Sequence, residues 1–513
     1  MTASDYLLSG LPYHNQGIKE SLFAATKPYG KLCFPASNKI LSFILALISC
    51  VSWIFPRSLR PASNKKPHEV HSTAYLDALR GYAAFVVYNS HIIPESWRPE
   101  NGILRITFLK IWFHGHGMVD VFFVISGYAL SYRMLGYIHT KQHTKFLDSL
   151  ASSTFRRYLR LFVPTAVASF VCMIVLSTGL AVKGEDPQVL QPTFWGNLQF
   201  WIADTVQASS PFPHVVGWWY GGCFGTKYLP QMWTIPVEFR GSVILFMFLA
   251  ATCKMATRIR LCLTCVCAAM FCWWEAQWAG EFLIGMWIAD LKMWKSRQQQ
   301  DHTTSSTPLP LTMPSSSSEM IADSTSTDET PQGPARSPLP TATTPTRSTT
   351  LIQQIPYIIL FICSLTPLTG PMLIGTYSEF PFNLIAIFMP PNYDQGAHIH
   401  YPLAIGAIML VYSLDNAPLL QKPLLLPVSQ FVGELSFGIY AMHNTIRWIV
   451  WEKLFVKWGE AYWGPAAHEF WHVLPGYLVM TVLIVWSAEL FRRMDVRVVA
   501  WTRVLQDMCF ERD

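Results

Sequence analysis

The chain has 513 residues, 51% of them hydrophobic and only 14% charged, where a soluble domain carries about 25% charged residues. That deficit argues against a soluble enzyme and for a membrane protein. The net charge of +6 comes largely from short Lys/Arg clusters beside apolar runs, which is how cytosolic loops are built, and it argues against a nucleic-acid partner.

In chain order, residues 1–70 form an N-terminal extension in which 40–56 is an anchor or an interfacial helix. Apolar runs with charged flanks then predict ten crossings, beginning near residues 75, 117, 160, 231, 261, 277, 355, 399, 427 and 475. The expected fold is therefore all-α, a polytopic bundle of about ten transmembrane helices. Its core divides into 71–295, holding six helices, and 353–495, holding four. Between them, 296–352 is rich in Ser, Thr and Pro, too polar to bury a core, and is expected to be a disordered cytosolic loop. Residues 496–513 are expected to be a cytosolic tail.

Basic clusters fall in alternate connections, before the first predicted helix and after the second, fourth, sixth, eighth and tenth. By the positive-inside rule those connections, and both ends of the core, face the cytosol. The segment 193–206 is apolar, but counting it as a crossing breaks this alternation, so it is expected to be a lumenal amphipathic or re-entrant helix. The eleven cysteines, among them Cys262, Cys265 and Cys267 inside one apolar run, behave as small packing residues and imply neither a metal site nor a disulfide framework. No Asn-x-Ser/Thr sequon occurs.

Ionisable residues inside apolar helices are costly and usually mark a pathway or a reaction site. The first predicted helix carries Asp77, Arg80 and His91. Eleven residues at about 100° each return Arg80 and His91 to nearly the same face, roughly 16 Å apart along the axis. Arg157 and Arg160, at i and i+3 near the inner end of the third helix, suit phosphate oxygens. Glu238, His443 and Asp120 fall at lumenal levels of their helices by the same orientation. Arginines thus gather at the inner mouth and proton-exchanging groups in the outer half, as a reaction on a long cytosolic donor requires.

Six stretches in order, "YLDALRGYAAFVVYNSH", "VDVFFVISGYAL", "FRRYLRLFVP", "MWTIPVEF", "FLIGMWIADL" and "LSFGIYAMH", resemble the acyltransferase 3 family of integral membrane acyltransferases. The resemblance covers about residues 75–492. It implies a ten-helix bundle moving an acyl group, commonly acetyl, from acyl-CoA to a hydroxyl of a sugar, lipid or small molecule; no metal is expected. It carries the family's essential histidine onto His91, its partner arginine onto Arg80, its cytosolic arginine motif onto Arg157 and Arg160, and its fourth-helix glutamate onto Glu238. His443 matches a recurrent position, and Asp120 and His443 are the substrate-binding candidates. On this reading His91 is the general base, with Glu238 orienting it or relaying its proton.

Two other functions use the same residue types. A proton-coupled transporter also needs buried His and Glu. A metal-dependent hydrolase built on His114, His116 and Asp120, or on His398 and His400, lacks a convincing third and fourth ligand. With no sorting signal in the chain, the endoplasmic reticulum or another endomembrane is the expected location.

Overall fold

A computed structural model describes residues 71–92, 110–182, 189–211, 226–305, 350–370, 380, 382–390, 395–464 and 469–510, which are nearly all helical and contain no β-strand. The expected anchor over 40–56, most of the expected loop over 296–352 and the stretch 217–225 lie outside these residues. The helices are α1 (Ala74–Ile92), α2 (Gly115–His139), α3 (His143–Ser177), α4 (Phe194–Ala208), α5 (Thr234–Thr252), α6 (Thr257–Trp273), α7 (Gln277–Ser305), α8 (Leu351–Leu368), α9 (Phe382–Ile387), α10 (Gln395–Asn416), α11 (Pro427–Ile446), α12 (Val456–Trp463) and α13 (Phe470–Cys509).

All ten segments expected to cross are helical. Five of these, α2, α3, Pro230–Thr252, α8 and α13, combine the length and the apolar composition that a crossing needs. A sixth is added if Ile399–Asn416 and Pro418–Leu425, bent by 100°, form one span. Outward faces are apolar, as lipid requires: Ile355, Ile359 and Ile362 on α8 and Leu478, Val479 and Val482 on α13 are all exposed. The segment expected to be amphipathic is α4, whose buried residues are the polar Asn197 and Asp204, while Trp195 and Val206 are exposed.

Three boundaries differ from expectation. α7 runs on to Ser305, so the start of the loop expected from 296 is helical. At 35 residues, α3 begins at His143, so Arg157 lies about four turns into the helix rather than at its mouth. The expected tail from 496 is instead helical as far as Cys509. Tertiary contact explains this: Ser152 Oγ on α3 donates to Gln506 Oε1 at 2.9 Å, and the rings of Phe155 and Phe510 meet edge to face.

Tight reversals link α2 to α3 and α6 to α7. Lys141 and Glu275, at φ of 57° and 59°, occupy the left-handed position after each helix. The next amide reaches back to the helix, Gln142 N to Tyr137 O and Ala276 N to Phe271 O, both at 2.9 Å. This satisfies carbonyls that the helix end would otherwise leave open.

Close packing is set by glycines. At Gly81 of α1, a Cβ would lie 2.5 Å from the backbone of Val432 and Gly433 on α11, and one at Gly433 would lie 2.6 Å from Asp77 O. Gly127 of α2 and Gly285 of α7 meet the opposite backbone in the same way, 2.0 Å from Phe282 O and 2.1 Å from Val124 O. Where lipid tails are as apolar as any side chain, such backbone approach is a main source of helix association.

Buried charges fasten one end of the bundle. Asp290 of α7 accepts from Arg260 of α6 through Nε and Nη2 at 2.7 and 2.8 Å and pairs with His139 Nε2 of α2 at 2.7 Å. Asp415 of α10 accepts from Tyr75 of α1 at 2.7 Å, Tyr128 of α2 at 2.9 Å and Lys292 of α7 at 2.8 Å. Each carboxylate is thereby paired and hydrogen-bonded, the condition under which a buried charge is tolerated.

Replacing Asp290 with Ala strands the guanidinium of Arg260, which is 1% exposed. A loss of about 3–5 kcal/mol is expected, visible as a lower melting temperature in detergent. Gly433→Leu should cost about 1–3 kcal/mol by overpacking the α1–α11 contact. The same change at Gly136, where an added Cβ meets nothing within 4 Å, should leave the melting temperature close to wild type.

Candidate active site

Helices α1 and α11 run parallel. Gln430 Nε2 donates to Ala74 O at 3.0 Å, Arg80 Nε donates to Ser436 Oγ at 3.1 Å, and the rings of His91 and His443 stack with centroids 5.2 Å apart. Gly81 and Gly433 lie at the crossing, and each histidine follows its glycine by ten residues. Close helix contact at one level therefore brings the imidazoles together about 15 Å further along.

The two rings differ in surroundings. His443 is wholly buried, and its Nδ1 lies 3.1 Å from Ile439 O. A carbonyl only accepts, so Nδ1 carries the hydrogen and Nε2 is the basic nitrogen of the neutral ring. That Nε2 has no hydrogen-bond partner among the described residues. His91 is exposed near the end of α1.

Beside the histidines the chain places a set of uncharged polar side chains. Tyr440, one turn before His443, has its hydroxyl 2.7 Å from Thr234 Oγ1 and donates to Gln231 O. Asn444 Nδ2 donates to Gln231 Oε1 at 2.7 Å. Helix α5 and the single turn Pro230–Trp233 before it are thus tied to α11 at the level of His443.

Toward the other end, Arg157 donates through Nε to Ser242 Oγ at 2.7 Å and through Nη2 to Glu238 Oε1. Arg160 lies within electrostatic range of Arg157, Arg80 and Asp495, and Asp495 in turn of Arg80. Three helices, α1, α3 and α13, so converge on one cationic patch, which Asp77, Glu238 and Asp495 face with carboxylates. Glu238 also lies within range of Tyr440. A polar line therefore runs from the arginines through Glu238 and Tyr440 to His443 and His91.

Of the sequence candidates, the structure groups Arg80, Arg157 and Arg160, and separately pairs His91 with His443. Glu238 is directed to Arg157 rather than to a histidine, because the early start of α3 carries that arginine to its level. Asp120 belongs to a different cluster. His400 Nδ1 lies 3.0 Å from both of its carboxylate oxygens, Glu281 of α7 is buried beside it, and His116 contacts His400 with centroids 6.1 Å apart. Among the described residues, no group of three or more His, Cys, Asp and Glu is arranged to hold a metal ion.

Several polar residues were not singled out from sequence. Asp290 falls inside "FLIGMWIADL" and Gln231 immediately before "MWTIPVEF", so an intramembrane polar residue within or beside each motif was the available signal. Asn444, which follows "LSFGIYAMH", and Tyr440 within it carry no charge and give no such signal.

The sequence matches the acyltransferase 3 family, an acyltransferase domain, over residues 73–490. It is 28% identical to the O-acetyltransferase PaAT-1 of Phomopsis amygdali over 420 residues, covering 76% of this chain and 75% of that protein. It is 23% identical to the acyltransferase clz18 of Cochliobolus lunatus over 492 residues, covering 85% and 94% respectively. A third relative, the acyltransferase R4 of a Phoma species, is 23% identical over 430 residues, covering 74% and 83%. No solved structure matches. With the family's domain spanning most of the chain, this protein belongs to the acyltransferase 3 family of acyltransferases.

Proposed function

We propose that this chain is a membrane-embedded O-acyltransferase that moves an acyl group, acetyl in the first instance, from acyl-CoA to a hydroxyl of a small molecule, sugar or lipid. The observation that carries the reading is the arrangement of α1: its Arg80 joins a cationic patch while its His91 meets His443 at the other end. A donor with an anionic nucleotide tail and a reactive thioester at the far end of a long arm fits this polarity. The acetyl group is suggested by the name of the Phomopsis amygdali relative.

In this reading Arg80, Arg157 and Arg160 hold the phosphates, guanidinium being suited to phosphate oxygens. Glu238 aligns Arg157 rather than exchanging a proton with His91. The acceptor hydroxyl approaches the exposed His91, which takes its proton during attack on the thioester carbonyl. His443 stacks on that ring and fixes its position. Asp120, held by His400 in a separate buried cluster near the start of α2, is a candidate contact to the acceptor.

The topology that accompanies this function has ten crossings, with the core ends and the arginine patch on the cytosolic side and the histidine pair in the lumenal half. The membrane is that of the endoplasmic reticulum or another endomembrane. Lipid bilayer, acyl-CoA and acceptor are its partners.

His91→Ala should lower kcat by about 10²- to 10⁴-fold, the usual contribution of a general base, with acyl-CoA binding retained. Arg160→Ala should instead raise the KM for acyl-CoA by roughly 10- to 150-fold, the loss of one charge-assisted hydrogen bond. Steady-state kinetics with purified protein and labelled acetyl-CoA separate the two, and equal loss of kcat and donor affinity in both variants would contradict this division of roles. Comparing metabolites of cells carrying wild type or His91→Ala identifies the acceptor as the compound that loses an acyl mass.

A further inference from the structure

Gln231 and Asn444 are each 5% exposed and joined by one hydrogen bond, Asn444 Nδ2 to Gln231 Oε1, at 2.7 Å. Their other amide atoms, Gln231 Nε2 and Asn444 Oδ1, are buried with no hydrogen-bond partner among the described residues. Thr445 Oγ1 and His443 Nε2 share that condition. Four such atoms therefore come from three consecutive residues of α11 and the one glutamine bonded to Asn444.

An unsatisfied buried polar atom costs about 1–3 kcal/mol, and replacement by an apolar residue of similar shape would remove the penalty. Nothing in the packing requires these side chains to be amides, since the tie between α5 and α11 is also made by Tyr440 with Thr234 and Gln231 O. Their arrangement is instead that of a site awaiting a polar ligand. Turning both amides over exchanges the roles of the two residues but leaves the pair presenting one N–H₂ donor and one carbonyl acceptor. The Tyr440 hydroxyl donates to the Gln231 backbone carbonyl and Asn444 follows His443 in the chain, so this donor belongs to the two elements that meet at the level of the buried histidine.

We infer that the Gln231–Asn444 pair is the oxyanion site of the acyl transfer, with Gln231 Nε2 the catalytic donor and Asn444 the residue that positions it. The inference rests on the acyltransfer reading above. The acceptor hydroxyl oxygen forms a bond to the thioester carbonyl carbon as His91 removes its proton. The carbonyl π electrons move onto oxygen, and Gln231 Nε2–H donates to the oxyanion. Collapse re-forms the carbonyl and breaks the C–S bond, and the proton held by His91 passes to the departing CoA sulfur. Ester and CoA thiol leave, with no other reactant consumed. A preorganised uncharged donor in a water-poor site strengthens most as charge develops, so it acts on the transition state more than on the bound thioester.

Two variants test this with acetyl-CoA and the acceptor found by metabolite comparison. Gln231→Glu keeps the shape and replaces the donor by a carboxyl oxygen, and Gln231→Leu removes both polar atoms. Both should lower kcat by about 10²- to 10³-fold, as loss of one oxyanion donor does, with the KM for acetyl-CoA within about threefold of wild type. Asn444→Ala should lower kcat too, and the double variant Gln231→Leu with Asn444→Ala should be no worse than Gln231→Leu alone, as expected of residues acting as a unit. A kcat within tenfold of wild type in either Gln231 variant overturns the inference. Failure of both to fold, judged by melting temperature against wild type, also overturns it, because the pair would then be structural. An inactive wild type with every acyl donor and acceptor tried would instead overturn the acyltransfer reading itself.

Discussion

The contact on which the site depends is the backbone approach of Gly81 to Gly433. No side chain larger than hydrogen fits between α1 and α11 at that level, so the two axes are pinned close together. Both histidines sit the same number of residues beyond the crossing, and their separation is therefore a consequence of backbone geometry. Helical rise then fixes the distance between this level and Arg80, which stands one residue before the crossing. A single contact thus sets both the meeting of the imidazoles and their spacing from the cationic patch.

The bundle treats its buried polar groups in two ways. Asp290 and Asp415 have several donors each and join α1, α2, α6, α7 and α10 between them. Their charges are matched, and they serve to hold the scaffold. Around His443 the opposite holds: the buried polar side chains of Gln231, His443, Asn444 and Thr445 are only partly satisfied. Stability is concentrated where charge is compensated, and unfulfilled hydrogen-bonding capacity is concentrated where the reactive groups meet.

Much of this was legible in the sequence, but unequally. Apolar runs located every long helix, and the spacing of Arg80 and His91 on one helix needed nothing beyond the α-helical repeat. Depth was harder to read. The helix carrying Arg157 begins at His143, a polar stretch that hydropathy alone discounts, and the earlier start carries Arg157 level with Glu238. Contacts between helices distant in sequence, such as His400 with Asp120 across 280 residues, depend on helix order around the bundle, which periodicity does not encode. Counting crossings from composition also falters where a helix turns its charges inward: α7 carries the buried Glu281 and Asp290, which the protein, not lipid, surrounds.

Just beyond His443 the backbone of α11 widens into a π-helix over Arg447–Phe455, with Arg447 bound to Glu452 across it, before α12 resumes the α-helical winding. π-Helical turns are rare and often lie next to functional groups. This one keeps its own anchorage: Trp448 and Trp451 are buried and Trp451 stacks on Phe455 with ring centroids 4.9 Å apart, so the widened turn after the imidazole pair is held by aromatic rings rather than by regular helical bonding.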